Sequence, residues 1–292
     1  MDQKTMSADY DERPLVYVLV LNWNGWQDTV KCVYSLKSLT YNNYKVVVLD
    51  NGSSNDSVTR IREAHPEVTL IETGANLGFA GGNNVGIRYA LDQGAEYIWL
   101  LNNDTIVDPH SLTALIEVIE SDTKIGAVGS VLYYMDEPAK IQAWGGGRVD
   151  LITGRACHLR APGELHYITG ASLLLRTKAL KDVGLLDERY FMYWEDTDLS
   201  FRMRARGWRI KVAHESRVLH KESASVGRKN PRLAEYFNRS AIHFFTTHAP
   251  LPFLPIFIGT TGRFLKGLLR GRQWAEAVLN GTALGLRESK LL

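Results

Sequence analysis

The sequence predicts an α/β fold: a mostly parallel sheet flanked by helices, followed by a helical C-terminal extension. Three observations point there. Apolar, β-branched-rich runs alternate with helical periodicity from residue 15 to about residue 134, the pattern of strands covered on both faces and joined by crossover helices. Several of these runs end in polar clusters, as expected where ligand groups gather at the carboxyl ends of parallel strands. Beyond Pro231 the alternation gives way to aromatic-rich helical stripes.

The elements follow in order. Leu15–Leu21 reads as a fully covered strand that stops at Asn22-Trp23-Asn24-Gly25. Asp28–Leu39 places Val30, Val33, Leu36 and Leu39 broadly on one side at helical spacing, and Lys45–Leu49 is the second strand. A helix around Ser57–Ala64, a strand at Val68–Glu72, a helix from about Asn83 to Gln93 and a strand at Tyr97–Leu101 continue the pattern. Asp108-Pro109 reads as a helix start, with Leu112, Leu115, Ile116 and Ile119 as its apolar stripe. After Val128–Tyr134, residues Asp136–His166 with Gly145-Gly146-Gly147 suggest loops or a β-ribbon. Ile168–Leu175 restores a strand, Asp196–Arg206 reads as a helix closed by Gly207, and strands are expected at Arg209–Ala213 and Arg217–Leu219.

Leu233, Phe237, Ala241, Phe244 and Phe245 then form a helical stripe leading to the apolar run Leu251–Ile258. That run is far short of the roughly 20 residues a spanning helix needs, and two prolines interrupt it. Arg263, Lys266, Arg270 and Arg272, interleaved with Phe264, Leu265, Leu268 and Leu269, fit an amphipathic helix on an anionic surface; packing against the catalytic domain is the alternative.

The chain of 292 residues, 45% hydrophobic and 23% charged, can bury one substantial core plus a modest appendage. A net charge of +2 is too small to imply nucleic-acid binding, and none is expected. Cys32 and Cys157, far apart, suggest neither a disulfide framework nor a thiolate zinc site and fit a reduced, cytosolic compartment. Residues 1–14 are polar, lack the apolar core of a secretory signal and read as a disordered leader.

Five segments carry candidate chemistry. Asp50, at the start of Asp50-Asn51-Gly52-Ser53-Ser54-Asn55-Asp56, can accept hydrogen bonds from a base or ribose, although Asp50 and Asp56 can equally cap the next helix. In Asn76-Leu77-Gly78-Phe79-Ala80-Gly81-Gly82-Asn83-Asn84, three glycines and three amides precede a helix and can approach a nucleotide or phosphate; a tight structural turn is the alternative. The segment has neither the lysine of a Walker loop nor the G-x-G-x-x-G spacing, which removes the main support for kinase and dehydrogenase readings. Asn102-Asn103-Asp104 ends a strand, where Asp104 can hold a divalent cation bridging a diphosphate. In the segment from Leu186 to Leu199, aromatic neighbours of Glu195 and Asp196 can stack on sugar faces and partly desolvate a carboxylate, raising its pKa; alternatively Glu195, Asp196 and Asp198 complement a helix dipole. His220, at a strand end, can complete the cation's shell.

Taken in order, LNWNG, DNGSSNDS, NLGFAGGNN, LLNNDT and YWEDTDLSFR resemble the family 2 glycosyltransferases, particularly their bacterial rhamnosyltransferase-like branch, from about Val16 to Lys221. The resemblance implies a GT-A type, Rossmann-like fold with a donor half at about 15–134, an acceptor half at about 135–228 and a helical, membrane-seeking region at 229–292. It implies an inverting enzyme that moves a sugar from a nucleoside-diphosphate donor, with dTDP-L-rhamnose favoured, to a glycan acceptor, polyprenyl-diphosphate-linked. It also implies a location on the inner face of the cytoplasmic membrane. Asp196 is then the base and Glu195 an acceptor-binding or reserve carboxylate. Asn22, Trp23, Asn24, Asp50, Asn76, Gly78, Gly81, Gly82, Asn83 and Asn103 are donor-side residues, and Asp104 and His220 hold Mg²⁺ or Mn²⁺. Asn102-Asn103-Asp104 departs from the Asp-x-Asp often seen in this fold and leaves one carboxylate, which lowers the expected metal affinity. Two rival readings stand beside it: a sugar-nucleotide pyrophosphorylase, which should carry a basic glycine loop where Asn22-Trp23-Asn24-Gly25 stands, and a non-catalytic glycosyltransferase-like subunit of a polysaccharide assembly complex.

Overall fold

The computed structural model describes residues 13–221 and 230–289. The leader expected at 1–14, apart from Arg13 and Pro14, lies outside the described residues, and so does the expected boundary at 228–229.

In chain order the elements are β1 (Val16–Asn22), α1 (Trp26–Leu36), β2 (Tyr44–Asp50), α2 (Ser57–Ala64), β3 (Thr69–Glu72), α3 (Gly78–Asp92), β4 (Tyr97–Asn102), β5 (Thr105–Val107), α4 (Ser111–Glu120) and β6 (Ile125–Tyr134). They continue with β7 (Ile141–Trp144), β8 (Gly146–Asp150), β9 (Arg155–His158), β10 (Tyr167–Ile168), β11 (Ser172–Arg176), α5 (Thr177–Val183), α6 (Glu195–Ala205) and β12 (Arg209–His220). The last three are α7 (Arg232–His248), α8 (Phe253–Arg270) and α9 (Arg272–Glu288).

The main sheet runs β3-β2-β1-β4-β11-β6-β12-β5, with β7 beside β6. β1, β2, β3 and β4 are parallel, and the order reverses at β1 because β2 and β3 lie on one side of it and β4 on the other. Such a switch point leaves a crevice at the carboxyl ends of β1 and β4. β11 enters antiparallel between β4 and β6, so the second half of the sheet is mixed. The β-ribbon expected over 136–166 forms as a three-stranded antiparallel sheet, β10-β8-β9.

Alternation along β1 explains the core. Val16, Val18 and Val20 pack with Trp99, Leu115 and Ile119 on one face, while Tyr17 and Leu19 pack with Leu49, Ile87 and Leu100 on the other. A third cluster joins Tyr190 and Trp194 to Ala241, Phe244 and Phe245 of α7 and Ile256 of α8. Phe237, Ala241, Phe244 and Phe245 of the expected stripe therefore supply core contacts.

Several boundaries differ from the sequence expectation. Helix α3 starts at Gly78 rather than near Asn83. Asp108 precedes α4 as a turn, its Oδ1 and carbonyl accepting from the His110 and Ser111 amides, so the helix opens at Ser111. β12 is one strand, with a register shift between Ala213 and Arg217 where two strands were expected. Pro252 and Pro255 fall at the cap and first turn of α8, where a missing N–H costs no helical hydrogen bond, so they do not break it. None of the described helices is long and apolar enough to cross a membrane.

Candidate active site

Polar side chains tie the strand ends together at the switch point. Asn22 Nδ2 donates to Asp50 Oδ1 at 2.8 Å and its Oδ1 accepts from the Thr29 hydroxyl at 2.8 Å. Asp50 also receives the Ser53 amide and hydroxyl, at 3.0 and 2.6 Å, so its carboxylate holds the β2–α2 turn. Asn24, in the left-handed region at φ 56°, takes the Ser54 amide on its Oδ1 at 2.8 Å. Asn103 Nδ2 donates to Thr29 Oγ1 at 3.0 Å, which stitches the end of β4 to α1. Asn51, not singled out from the sequence, donates to Asn76 Oδ1 and to the Gly78 carbonyl and accepts from the Leu77 amide.

The start of α3 needs glycine for packing. Gly78 has φ 73° and a Cβ there would lie 2.2 Å from the Phe191 carbonyl oxygen. A Cβ at Gly82 would meet Leu21, and one at Gly81 would meet Leu77. Asn83 donates back to the Phe79 carbonyl.

Beyond β4, the pairing of His220 with Thr105 across β12 and β5 brings His220 beside Asp104. His220 Nε2 lies 3.3 Å from Asp104 Oδ1, and its Nδ1 is 2.7 Å from Gln142 Oε1. With Gln142 Oε1 accepting from Nδ1, Nε2 faces Asp104 Oδ1 and the Asn102 amide, each at 3.3 Å, and one imidazole nitrogen with one carboxylate is a donor set that fits a divalent cation. Among the described residues no three His, Cys, Asp or Glu side chains converge as a complete metal cage. A cation here needs further oxygens from a ligand, as diphosphates supply.

The acidic segment is aimed by backbone strain. Tyr193 and Trp194 are both left-handed, at φ 69° and 72°, a conformation that bulky residues adopt only where their surroundings enforce it. Trp194 is wedged against Phe237, Phe244 and Phe245. Ser240 of α7 donates to the Met192 carbonyl at 2.9 Å. α6 therefore begins at Glu195 with its first turn facing the crevice.

Asp196 Oδ2 accepts from the Gly170 amide at 2.7 Å, and Oδ1 accepts from the Thr197 amide at 2.6 Å and hydroxyl at 3.0 Å. Burial pushes its pKa above the ordinary carboxylate value, while these hydrogen bonds and the nearby His158 pull it part of the way back. Glu195 is buried, its Oε2 has no hydrogen-bond partner among the described residues, and burial reinforced by the Asp196 charge raises its carboxyl well above the usual range. Asp198 instead binds Arg202 Nε and His248 Nε2, each at 2.7 Å.

One cavity of about 490 Å³ collects these groups. Of the residues expected from the sequence, Trp23, Asn76, Gly78, Asn103, Asp104, Glu195, Asp196 and His220 line it. Asn22, Asn24, Asp50, Gly81, Gly82 and Asn83 do not; they shape or pack the turns behind it. The cavity's other wall comes from parts given no site role from the sequence: His158, whose Nδ1 is 3.2 Å from the Tyr167 hydroxyl, the Thr169-Gly170-Ala171 turn, which divides the single strand expected at Ile168–Leu175 into β10 and β11, and Arg232, Tyr236 and Phe237 of α7. The aromatic stripe after Pro231 was the available signal for the α7 wall; the isolated His158 gave none. A larger hollow of about 630 Å³ lies beside Lys37, Tyr44 and Glu67, at the opposite ends of the strands and away from these carboxylates.

Comparisons with known proteins fit this geometry. The family model for glycosyl transferase family 2 matches residues 17–184, more than half of the chain, ending before Glu195 and His220. An N-acetylglucosaminyl-diphospho-decaprenol L-rhamnosyltransferase of Mycobacterium tuberculosis is 29% identical over 222 residues, covering 66% of this chain and 72% of that protein. A low-salt glycan biosynthesis hexosyltransferase of Haloferax volcanii is 24% identical over 230 residues, 75% of this chain and 69% of that one. Among solved structures, a mannosyltransferase from Pyrobaculum calidifontis in complex with GDP-Man and Mn²⁺ superposes with a TM-score of 0.62 at 18% identity, covering 96% of this chain and 79% of that one, a likeness in the GT-A fold.

Proposed function

The chain belongs to glycosyl transferase family 2, and from that premise we propose that it transfers L-rhamnose, with inversion, from dTDP-L-rhamnose to a hydroxyl of a polyprenyl-diphosphate-linked glycan at the inner face of the cytoplasmic membrane. The single observation that carries the reaction is that Asp196, Asp104 and His220 line one cavity at the sheet's switch point. Rhamnose and the lipid-linked acceptor rest on the name of the mycobacterial relative.

Trp23, Asn76, Gly78 and Asn103 touch the donor, while Asn22, Asn24 and Asp50 hold the turns that receive its nucleotide. Asp104 and His220 would hold Mg²⁺ or Mn²⁺, which would neutralise charge on the diphosphate. Asp196 takes the proton of the acceptor hydroxyl as that oxygen bonds to the anomeric carbon; the bond from that carbon to the diphosphate breaks on the opposite face and its electron pair leaves with the nucleotide. Glu195, whose burial favours the protonated form, is assigned to an acceptor hydroxyl. Residues 15–134 serve as the donor half, 135–228 as the acceptor half, and 229–292 as a region that completes the acceptor wall and meets the membrane.

A thermal-shift series of nucleotide sugars with and without Mg²⁺ tests the donor assignment, since a ligand at about 100 times its Kd stabilises by about 2.7 kcal/mol. Stabilisation by dTDP-L-rhamnose above UDP and GDP sugars is expected. A response confined to another nucleotide replaces rhamnose, and no response to any of them removes the donor site.

A further inference from the structure

We propose that the outward face of α8, together with the tip of the β8–β9 hairpin, is a docking surface for an anionic lipid bilayer that holds the acceptor side of the cavity at the membrane. The four basic residues that suggested an amphipathic helix separate in the structure. Arg263 turns inward, donating to Asn238 Oδ1 at 2.6 Å and to the Gly154 carbonyl at 3.1 Å, with its guanidinium over the Phe237 ring. Pro255, Ile256, Gly259 and Gly267 are buried on the same side. The opposite side carries Phe253, Phe257, Leu265, Leu268 and Leu269, with Phe257 72% and Leu269 91% exposed. From Phe253 to Leu269 this stripe is about 24 Å long at 1.5 Å per residue. Exposure of five large apolar side chains along one helix marks an interaction site rather than an ordinary surface.

Charge decides the occupant. α8 contains no Asp or Glu. Lys266 and Arg270 are exposed in the last turns of α8, each next in sequence to an exposed leucine of the stripe, Leu265 and Leu269; neither has an ion pair among the described residues, and Arg270 lies over the Trp274 ring. An apolar stripe with a cationic, aromatic rim matches the boundary between headgroups and acyl chains of an anionic bilayer. A second copy docking through the same patch would bring these like-charged rims together.

The surface is mechanically joined to the cavity. A Cβ at Gly154, in the turn between β8 and β9, would sit 2.2 Å from the Pro255 carbonyl oxygen, so hairpin and helix press backbone to backbone. The same turn exposes Ile152, and the strand that leaves it carries Ala156 and His158 into the cavity wall. A bilayer seated on α8 therefore fixes the wall on which a lipid-linked acceptor would arrive.

Flotation of the full chain with phosphatidylcholine vesicles, with and without phosphatidylglycerol, tests this without any turnover, so its outcome is independent of the donor and acceptor proposed above. The wild type is expected to float with the anionic vesicles and to be released by salt. Phe257→Ser with Leu269→Ser is expected to lower the partition at least about tenfold. Lys266→Glu with Arg270→Glu should lower it by about fivefold or more per residue on anionic vesicles only. All four residues are solvent-facing, and an unchanged thermal midpoint confirms that each variant folds. Failure of the wild type to float, or equal flotation of wild type and both variants, overturns the proposal. A concentration-dependent dimer that dissociates in the Phe257→Ser, Leu269→Ser variant, without vesicle binding, assigns the face to a second copy and also overturns it.

Discussion

Replacing Asp196 by Asn removes the proposed base while keeping its size. The wild-type carboxylate accepts the Gly170 amide on one oxygen and the Thr197 amide and hydroxyl on the other. A carboxamide offers one oxygen and one NH₂, so one backbone N–H then faces a donor; leaving it unpaired costs about 1–3 kcal/mol. Relief of the buried charge offsets part of that cost, because burial already disfavours the ionised form. At about 2–4 °C per kcal/mol the thermal midpoint falls by only several degrees and the fold survives. Loss of a positioned base should lower kcat about 10²- to 10⁴-fold while the donor Kd stays unchanged. Initial-rate transfer assays paired with calorimetric donor titration read both quantities. A kcat within about tenfold of wild type, below the range expected for a positioned base, refutes the assignment and moves the role to Glu195.

Other perturbations give distinct signatures. Asp104→Ala should abolish the cation-dependent part of donor-induced stabilisation and leave the cation-free midpoint nearly unchanged, checked by thermal shift. The raised pKa of Asp196 places the acid limb of the rate profile above the pKa of about 3.9 of a free aspartate; a limb at or below that value contradicts it. Glu195 binds its proton more tightly folded than unfolded, so stability falls as pH rises from the ordinary carboxylate range through its raised folded pKa. Glu195→Gln should flatten that decline in urea unfolding followed upward from the free glutamate pKa of about 4.3. His248→Ala removes the 2.7 Å contact to Asp198 that ties α7 to α6. Acting through position alone, it should lower kcat without changing the donor Kd, with partial recovery in His248→Gln.

The parallel half of the sheet was legible because its strands are buried on both faces and its helices have one apolar side; both features survive in periodicity. Strand direction does not. Ile168–Leu175 reads as one covered strand of either direction; its pairing makes Ser172–Arg176 antiparallel to β4 and β6, while Ile168 joins β8 in the small sheet. The aromatic stripe on α7 had two readings since burial in a core and burial in lipid need the same amphipathic face; Trp194 and Tyr190 supply the core partner.

That Asp104, His220, Glu195 and Asp196 share one cavity was legible because each sits at an element end where polar groups gather. Asp50 drew the same expectation, yet its lone pairs go to Asn22 and Ser53, a local turn that competes with ligand binding. The glycines at 81 and 82 suit close approach of any kind; here the approaching groups are Leu77 and Leu21. The left-handed Tyr193 and Trp194 left no trace in the sequence, because large aromatics disfavour that conformation and tertiary packing imposes it. His158 reaches the cavity through the β-ribbon, a long-range placement that no local pattern reports.

NMR of the sugar's anomeric proton during transfer tests the central claim most directly. With dTDP-L-rhamnose, Mg²⁺ and the proposed polyprenyl-diphosphate-linked glycan, a single displacement driven by Asp196 predicts a first-formed product of inverted anomeric configuration, lost in Asp196→Asn. A product with retained configuration, or one formed equally fast by Asp196→Asn, contradicts it.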